Sequence, residues 1–211
     1  NNTTYQREGL YKNGIYPGEA TNAEILNSYG KSKKLSSFGY GIKGFTLSMI
    51  ETAIELTEGR ISGSEIHEII QLAKCMLASP VELLPNVKQV LTDLKGSYRL
   101  LVITKGDLLD QESKLAKSGI ADYFDAIEIV SDKTSDAYQQ ILQRHHVASK
   151  HFLMVGNSLK SDILPLVNIK ANAIHVPFHT TWAHEEVSKK ETNGKTYKTV
   201  TGLKDVLNLL N

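Results

Sequence analysis

Hydrophobic and polar positions follow two different rhythms along this chain, and the change comes near residue 80. Before it, "FTLSMIETAIELTEG" places Met49, Ile50, Ala53 and Ile54 at helical spacing and stops at Gly59, which predicts a helix ending there. Ser62 and Glu65 form a Ser-x-x-Glu capping box ahead of Ile66, Ile69, Ile70, Ala73 and Leu77, a second predicted helix. No strand is predicted in this half, and the polar, turn-rich stretch before residue 38 carries no assigned elements.

After Pro80 short apolar runs alternate with helical patterns. Val87, Val90, Leu91 and Leu94 share one helical face, and "YRLLVIT" reads as a strand ending at Thr104. A helix to Gly119 follows, then "AIEIV", a helix through Tyr138, Ile141 and Leu142, "FLMV", a helical "SDILPLVNI", and "NAIHVP". Four-to-six-residue apolar runs separated by helices predict βαβ units and a parallel sheet covered on both faces. The closing "GLKDVLNLL" is expected to pack on that sheet as a last helix. The expected architecture is α/β, a helical lobe over residues 1–79 in front of a core over residues 80–211.

Composition narrows the partners. The 24 basic and 23 acidic residues leave a formal charge of +1, with no electrostatic footprint for nucleic acid or an anionic membrane. The short run Lys31–Lys34 lacks interleaved aromatics and reads as a solvated loop. No apolar run approaches the roughly 20 residues needed to span a bilayer. Cys75 is the single cysteine, so no intrachain disulfide forms, and a reducing, cytoplasmic setting is the simpler expectation. In "LAKCMLA" it reads as a small buried side chain.

In open parallel sheets, ligands bind beyond the carboxyl ends of the strands. Thr104, Lys105, Gly106 and Asp107 follow the first strand. Ser131, Asp132 and Lys133 follow the second; Gly156, Asn157, Ser158 and then Asp162 follow the third. A hydroxyl near free N–H groups suits a phosphate oxygen, a lysine supplies compact positive charge, and a carboxylate beside amide and hydroxyl oxygens suits Mg²⁺. One such group per strand, in order, is far less expected by chance than any of them alone.

With Thr104 in "LLVITKGD", Lys133 in "IVSDK" and Asp162 in "FLMVGNSLKSD", the chain resembles the haloacid dehalogenase-like (HAD) hydrolases over about residues 80–185. The resemblance implies a Rossmann-like core with a helical cap, here residues 1–79. It also implies Mg²⁺-assisted hydrolysis of a small phosphorylated metabolite through an aspartyl-phosphate. Thr104, with Lys105, would hold the phosphate, Lys133 would stabilise nucleophile and phosphoryl oxygens, and Asp162 and Asn157 would sit at the metal. The sequence departs from the family in two places. Asn157 stands where the family commonly has Asp, which makes Asp162 the better metal ligand. The first motif, a strand ending Asp-x-Asp, is absent, since Asp122 and Asp125 precede a strand. The first core strand, with the nucleophile, is expected upstream of residue 1, an expectation that the lack of an initiator Met supports. An inactive binding or regulatory relative and metal-free haloacid dehalogenation are the alternatives.

Gly39, Gly41 and Gly44 in "FGYGIKGF" spell the G-x-G-x-x-G of a dinucleotide loop. The preceding "KSKKLSSF" is no strand, and the next element is followed by another helix, so the βαβ context is missing. The glycines predict a close-packed turn into a cap helix, with Tyr40 and Lys43 as candidates for substrate selection. His145 and His146 suit a helix C-terminus; His175, His179 and His184 match no closed zinc motif; Trp182 either lines the pocket or packs its loop.

Overall fold

The computed structural model describes residues 38–39, 41–178 and 185–210. The chain divides into two compact units: one reaching to Pro80 and including Gly106–Asp110, the other Val81–Lys105 with Gln111–Asn211.

In the first unit, α1 (Ile42–Leu56) and α2 (Gly63–Ala78) pack together. Their shared core is Phe45, Met49, Ala53 and Ile69. Ile54, Ile70 and Leu77, part of the apolar spacing that marks these helices, are exposed. The buried stripe of α1 runs Ile42, Phe45, Met49 and Ala53, and a helix of 3.6 residues per turn rotates Ile54 out of that stripe. α1 ends at Leu56, and Glu58 and Gly59 then take positive φ values of 54° and 78°. The capping box of α2 is present: Glu65 N–H donates to Ser62 Oγ at 3.2 Å, and Ser62 N–H donates to Glu65 Oε2 at 2.8 Å. Cys75 is exposed, which corrects its reading as a buried residue. Ala73 is the buried position of that turn, and two residues further on the helix has turned about 200° away.

Gly41 caps α1 at φ 108°, and Gly39 has φ 71°. A Cβ on Gly44 would come within 2.5 Å of the Gly39 carbonyl oxygen. These glycines therefore make the close-packed turn expected of them, and the element after α1 is a helix, not a strand.

In the second unit, α3 (Val87–Leu94) leads into β1 (Leu101–Lys105), and α4 (Leu108–Ser118), part of this unit from Gln111 on, into β2 (Ala126–Val130). Next come α5 (Ser135–Arg144), β3 (Leu153–Gly156), a π-turn (Leu159–Ile163), α6 (Leu164–Asn168) and β4 (Asn172–His175). The chain closes with α7 (Lys189–Thr192), β5 (Lys198–Thr199) and a 3₁₀ helix over Leu203–Leu209. The last of these was expected as a helix without its type. Leu203, Val206 and Leu209 recur every three residues, the period of a 3₁₀ helix, and Val206 is the one fully buried.

All pairings are parallel, but they form two sheets. β1 pairs with β2 from Leu101 opposite Ala126 to Lys105 opposite Val130. The other sheet has the order β3-β4-β5. The two share one core of Ile103, Tyr138, Ile141, Met154, Ile163, Leu166 and Ala173. Among the described residues, β1 bonds no strand but β2, and β3 none but β4, so each has an edge without a strand partner.

Candidate active site

The carboxyl ends of β1, β2 and β3 bring their polar residues together within the second unit. Lys133, just past β2, places its Nζ 2.7 Å from Asp162 Oδ1, with side-chain exposures of 12% and 7%. The second oxygen, Oδ2, accepts the Ser158 N–H at 3.1 Å. The backbone supplies this arrangement through the π-turn. Both Asp162 N–H and Ile163 N–H reach back to the Ser158 carbonyl, at 2.8 and 3.2 Å. The widened turn swings Asp162 over the end of β3, and a Cβ on Gly156 would overlap the Asp162 side chain. The glycine is needed for that close approach.

A second charged group lies beside the first. Lys105 Nζ, at the end of β1, donates to Glu185 Oε1 at 2.6 Å and to Ser161 Oγ at 3.1 Å. Asp132 stands 3.7 Å from the same ammonium. Ser161 Oγ lies 2.7 Å from Glu185 Oε2, and Ser158 Oγ also donates to that oxygen. Burial works against the Glu185 anion, but the bonds from Lys105, Ser158 and Ser161 outweigh it and hold the carboxyl down at about 2. Tyr138 is buried below, its hydroxyl donating to the Ser161 carbonyl at 3.0 Å. Burial, then the Asp162 and Glu185 charges, push that phenol well above its usual range, so it remains a neutral donor.

Thr104 is half-buried and donates its hydroxyl to Gln111 Oε1 at 2.9 Å. Asn157 is exposed, and its carbonyl meets His175 Nε2 at 3.1 Å. In the first unit, Lys43 pairs with Asp107 at 2.9 Å. The bond from Lys43, then the Asp110 N–H, hold the Asp107 carboxyl below its ordinary value. Tyr40, Trp182, His179 and His184 lie outside the described residues. His175 stands edge-on to Tyr197, and His145 caps α5 while bonding Glu128 Oε1 at 2.7 Å.

Glu185 and Ser161 are the site residues that sequence reasoning missed. Glu185 lies 80 positions from Lys105 in a segment without strand or helix periodicity, so no local pattern marks it.

Asp162 is a hard oxygen donor of the kind Mg²⁺ takes, and each of its oxygens keeps a lone pair beyond the bond it already accepts. Among the described residues, however, no group of three or more His, Cys, Asp or Glu side chains could hold a metal ion. The donors fit in kind and supply only part of a coordination sphere.

Comparison with known proteins identifies the family. A model of the haloacid dehalogenase-like hydrolases matches residues 12–169, and the chain belongs to that family. It is 31% identical over 131 residues to a glyceraldehyde 3-phosphate phosphatase of Methanothermobacter thermautotrophicus, a match covering 58% of each chain. It is 30% identical over 119 residues to the N-acylneuraminate-9-phosphatase of Mus musculus, covering 54% of this chain and 48% of that one. The chain thus spans about half the length of the curated relatives it matches. A haloacid dehalogenase-like family hydrolase from Xanthomonas campestris superposes on the whole chain and 86% of its own, with TM-score 0.81 and 33% identity. The fold is the Rossmann-like α/β core that the resemblance implied.

Proposed function

We propose that this chain carries the core of a phosphatase that hydrolyses a small phosphate monoester with Mg²⁺. The observation that carries the reading is the Lys133–Asp162 pair, buried at the carboxyl ends of parallel strands. The phosphatases among its relatives support it. Lys133 offsets the charge that gathers on the phosphoryl oxygens and on an attacking carboxylate. Thr104, on exchanging Gln111 for substrate, donates to a phosphoryl oxygen. Asp162 and the Ser158 loop are the part of the metal site that these residues supply, with Asn157 at its margin. Mg²⁺, when bound, neutralises phosphate charge. The nucleophilic carboxylate is proposed to stand on a further strand between β1 and β3, each of which has an edge without a strand partner among the described residues. The helical first unit is proposed as the cap, with Lys43 and Tyr40 contributing to substrate choice, and a cytoplasmic setting suits the lone cysteine. Among the described residues no helix is long and apolar enough to cross a membrane.

Phosphate release from a panel of sugar phosphates, nucleotides and triose phosphates, beside chloride release from 2-chloropropionate, tests the proposal. The reading expects phosphate, no chloride, and loss of turnover on chelation that added Mg²⁺ restores. Chloride release without metal would replace it with dehalogenation.

A further inference from the structure

We infer that Glu185 is a positioning residue for this site: its carboxylate clamps the Lys105 ammonium to the two serine hydroxyls of the turn that carries Asp162. The inference rests on the phosphatase reading only for its kinetic consequence; the clamp itself is geometric.

Among the described residues no strand-to-strand hydrogen bond joins β1 to β3, and side chains link the carboxyl ends of the two sheets. Two ties make that link. Lys133–Asp162 is one, and it belongs to the machinery already described. The other runs from Lys105 on β1 to Glu185 Oε1 at 2.6 Å, and from the same carboxylate to Ser161 Oγ and Ser158 Oγ. Ser158 passes the restraint on. Its Oγ accepts the Ser161 N–H at 2.9 Å, and its own N–H holds Asp162 Oδ2 at 3.1 Å.

The Lys105 and Glu185 side chains are 13% and 12% exposed, enough burial for an unpaired charge to be costly. Bonds from a cation and two hydroxyls to one carboxylate are the strong, directional kind, and they fix both oxygens at once. Lys105 therefore acts in the site at a position set by Glu185, and its charge is partly neutralised there.

A double-mutant cycle in the full-length protein separates the possibilities, with Glu185→Gln, Lys105→Met and the double variant read both by kcat and KM on para-nitrophenyl phosphate and by Tm. Glu185→Gln should lower kcat about 10-fold while KM moves less than about 3-fold, because orientation is lost and not anion binding. In the Lys105→Met background the same change should alter kcat less than about 2-fold. Equal losses in both backgrounds, or an unchanged kcat for Glu185→Gln in an active wild type, would overturn the inference. The Tm arm needs no turnover. Coupling in Tm with a wild type that releases no phosphate leaves the clamp standing and overturns the phosphatase reading alone; additive Tm losses overturn the clamp.

Discussion

Replacing Lys133 by Met removes one charge from the Lys133–Asp162 pair while keeping most of the side-chain volume. At 2.7 Å the gross attraction is about 6 kcal/mol with an effective dielectric of about 20. Desolvation of both ions offsets much of this, so the pair's net worth is small, but stranding one partner costs about 3–5 kcal/mol. Asp162 keeps the Ser158 N–H, which places Lys133→Met at the low end, about 3 kcal/mol. For a chain of this size that lowers Tm by about 6–12 °C. Turnover of para-nitrophenyl phosphate should fall at least about 10²-fold, the loss expected for an electrostatic stabiliser. The double variant Lys133→Met/Asp162→Asn removes both charges, so Tm should return to within a few degrees of wild type while turnover stays lost. Thermal unfolding by circular dichroism and steady-state kinetics on the wild type and the two variants give the answer. A single variant with unchanged Tm, or a double variant that regains activity, would refute the reasoning.

Three further outcomes are expected. The Glu185 carboxyl, held at about 2 against an ordinary 4.5, stabilises the fold fully above pH 4.5, and that stability is lost as pH falls toward 2. With a ceiling of about 3 kcal/mol for the shift, Glu185→Gln should flatten the acid limb of Tm against pH between about 2 and 4.5, and an unchanged limb would contradict the network. Gly156→Ala forces a Cβ into Asp162, which should cost about 1–3 kcal/mol by denaturant unfolding and lower kcat at least about 10-fold. Ser62→Ala removes the capping box of α2 and should cost about 1 kcal/mol in the same unfolding assay, with kcat unchanged.

How far the sequence disclosed these features depends on the range of the interactions behind them. The strands and helices of the second unit follow from apolar runs and capping residues that act within a few positions; "AIEIV" is β2 to the residue. Thr104, Lys133 and Asp162 were legible because a parallel sheet delivers every strand's carboxyl end to one edge, so chain order stands in for geometry. Glu185 was not, since its partners Lys105, Ser158 and Ser161 lie 24 to 80 positions away and tertiary packing alone selects it. β5 is two exposed polar residues, with no apolar run to announce it. The division into two sheets and the π-turn behind Asp162 are likewise matters of hydrogen-bond partners, which spacing does not encode. Cys75 was misplaced because an apolar run on a helix has an outer face as well as an inner one.

The central claim is that Lys133 and Asp162 serve metal-assisted phosphate hydrolysis. Its most direct test is the rate of para-nitrophenyl phosphate hydrolysis by the full-length protein, titrated with Mg²⁺ after chelation, for wild type and Lys133→Met side by side. The account predicts saturable, Mg²⁺-restored turnover in the wild type and at least about 10²-fold less in the variant at every Mg²⁺ concentration. Turnover that ignores Mg²⁺, or a variant as fast as the wild type, would contradict it.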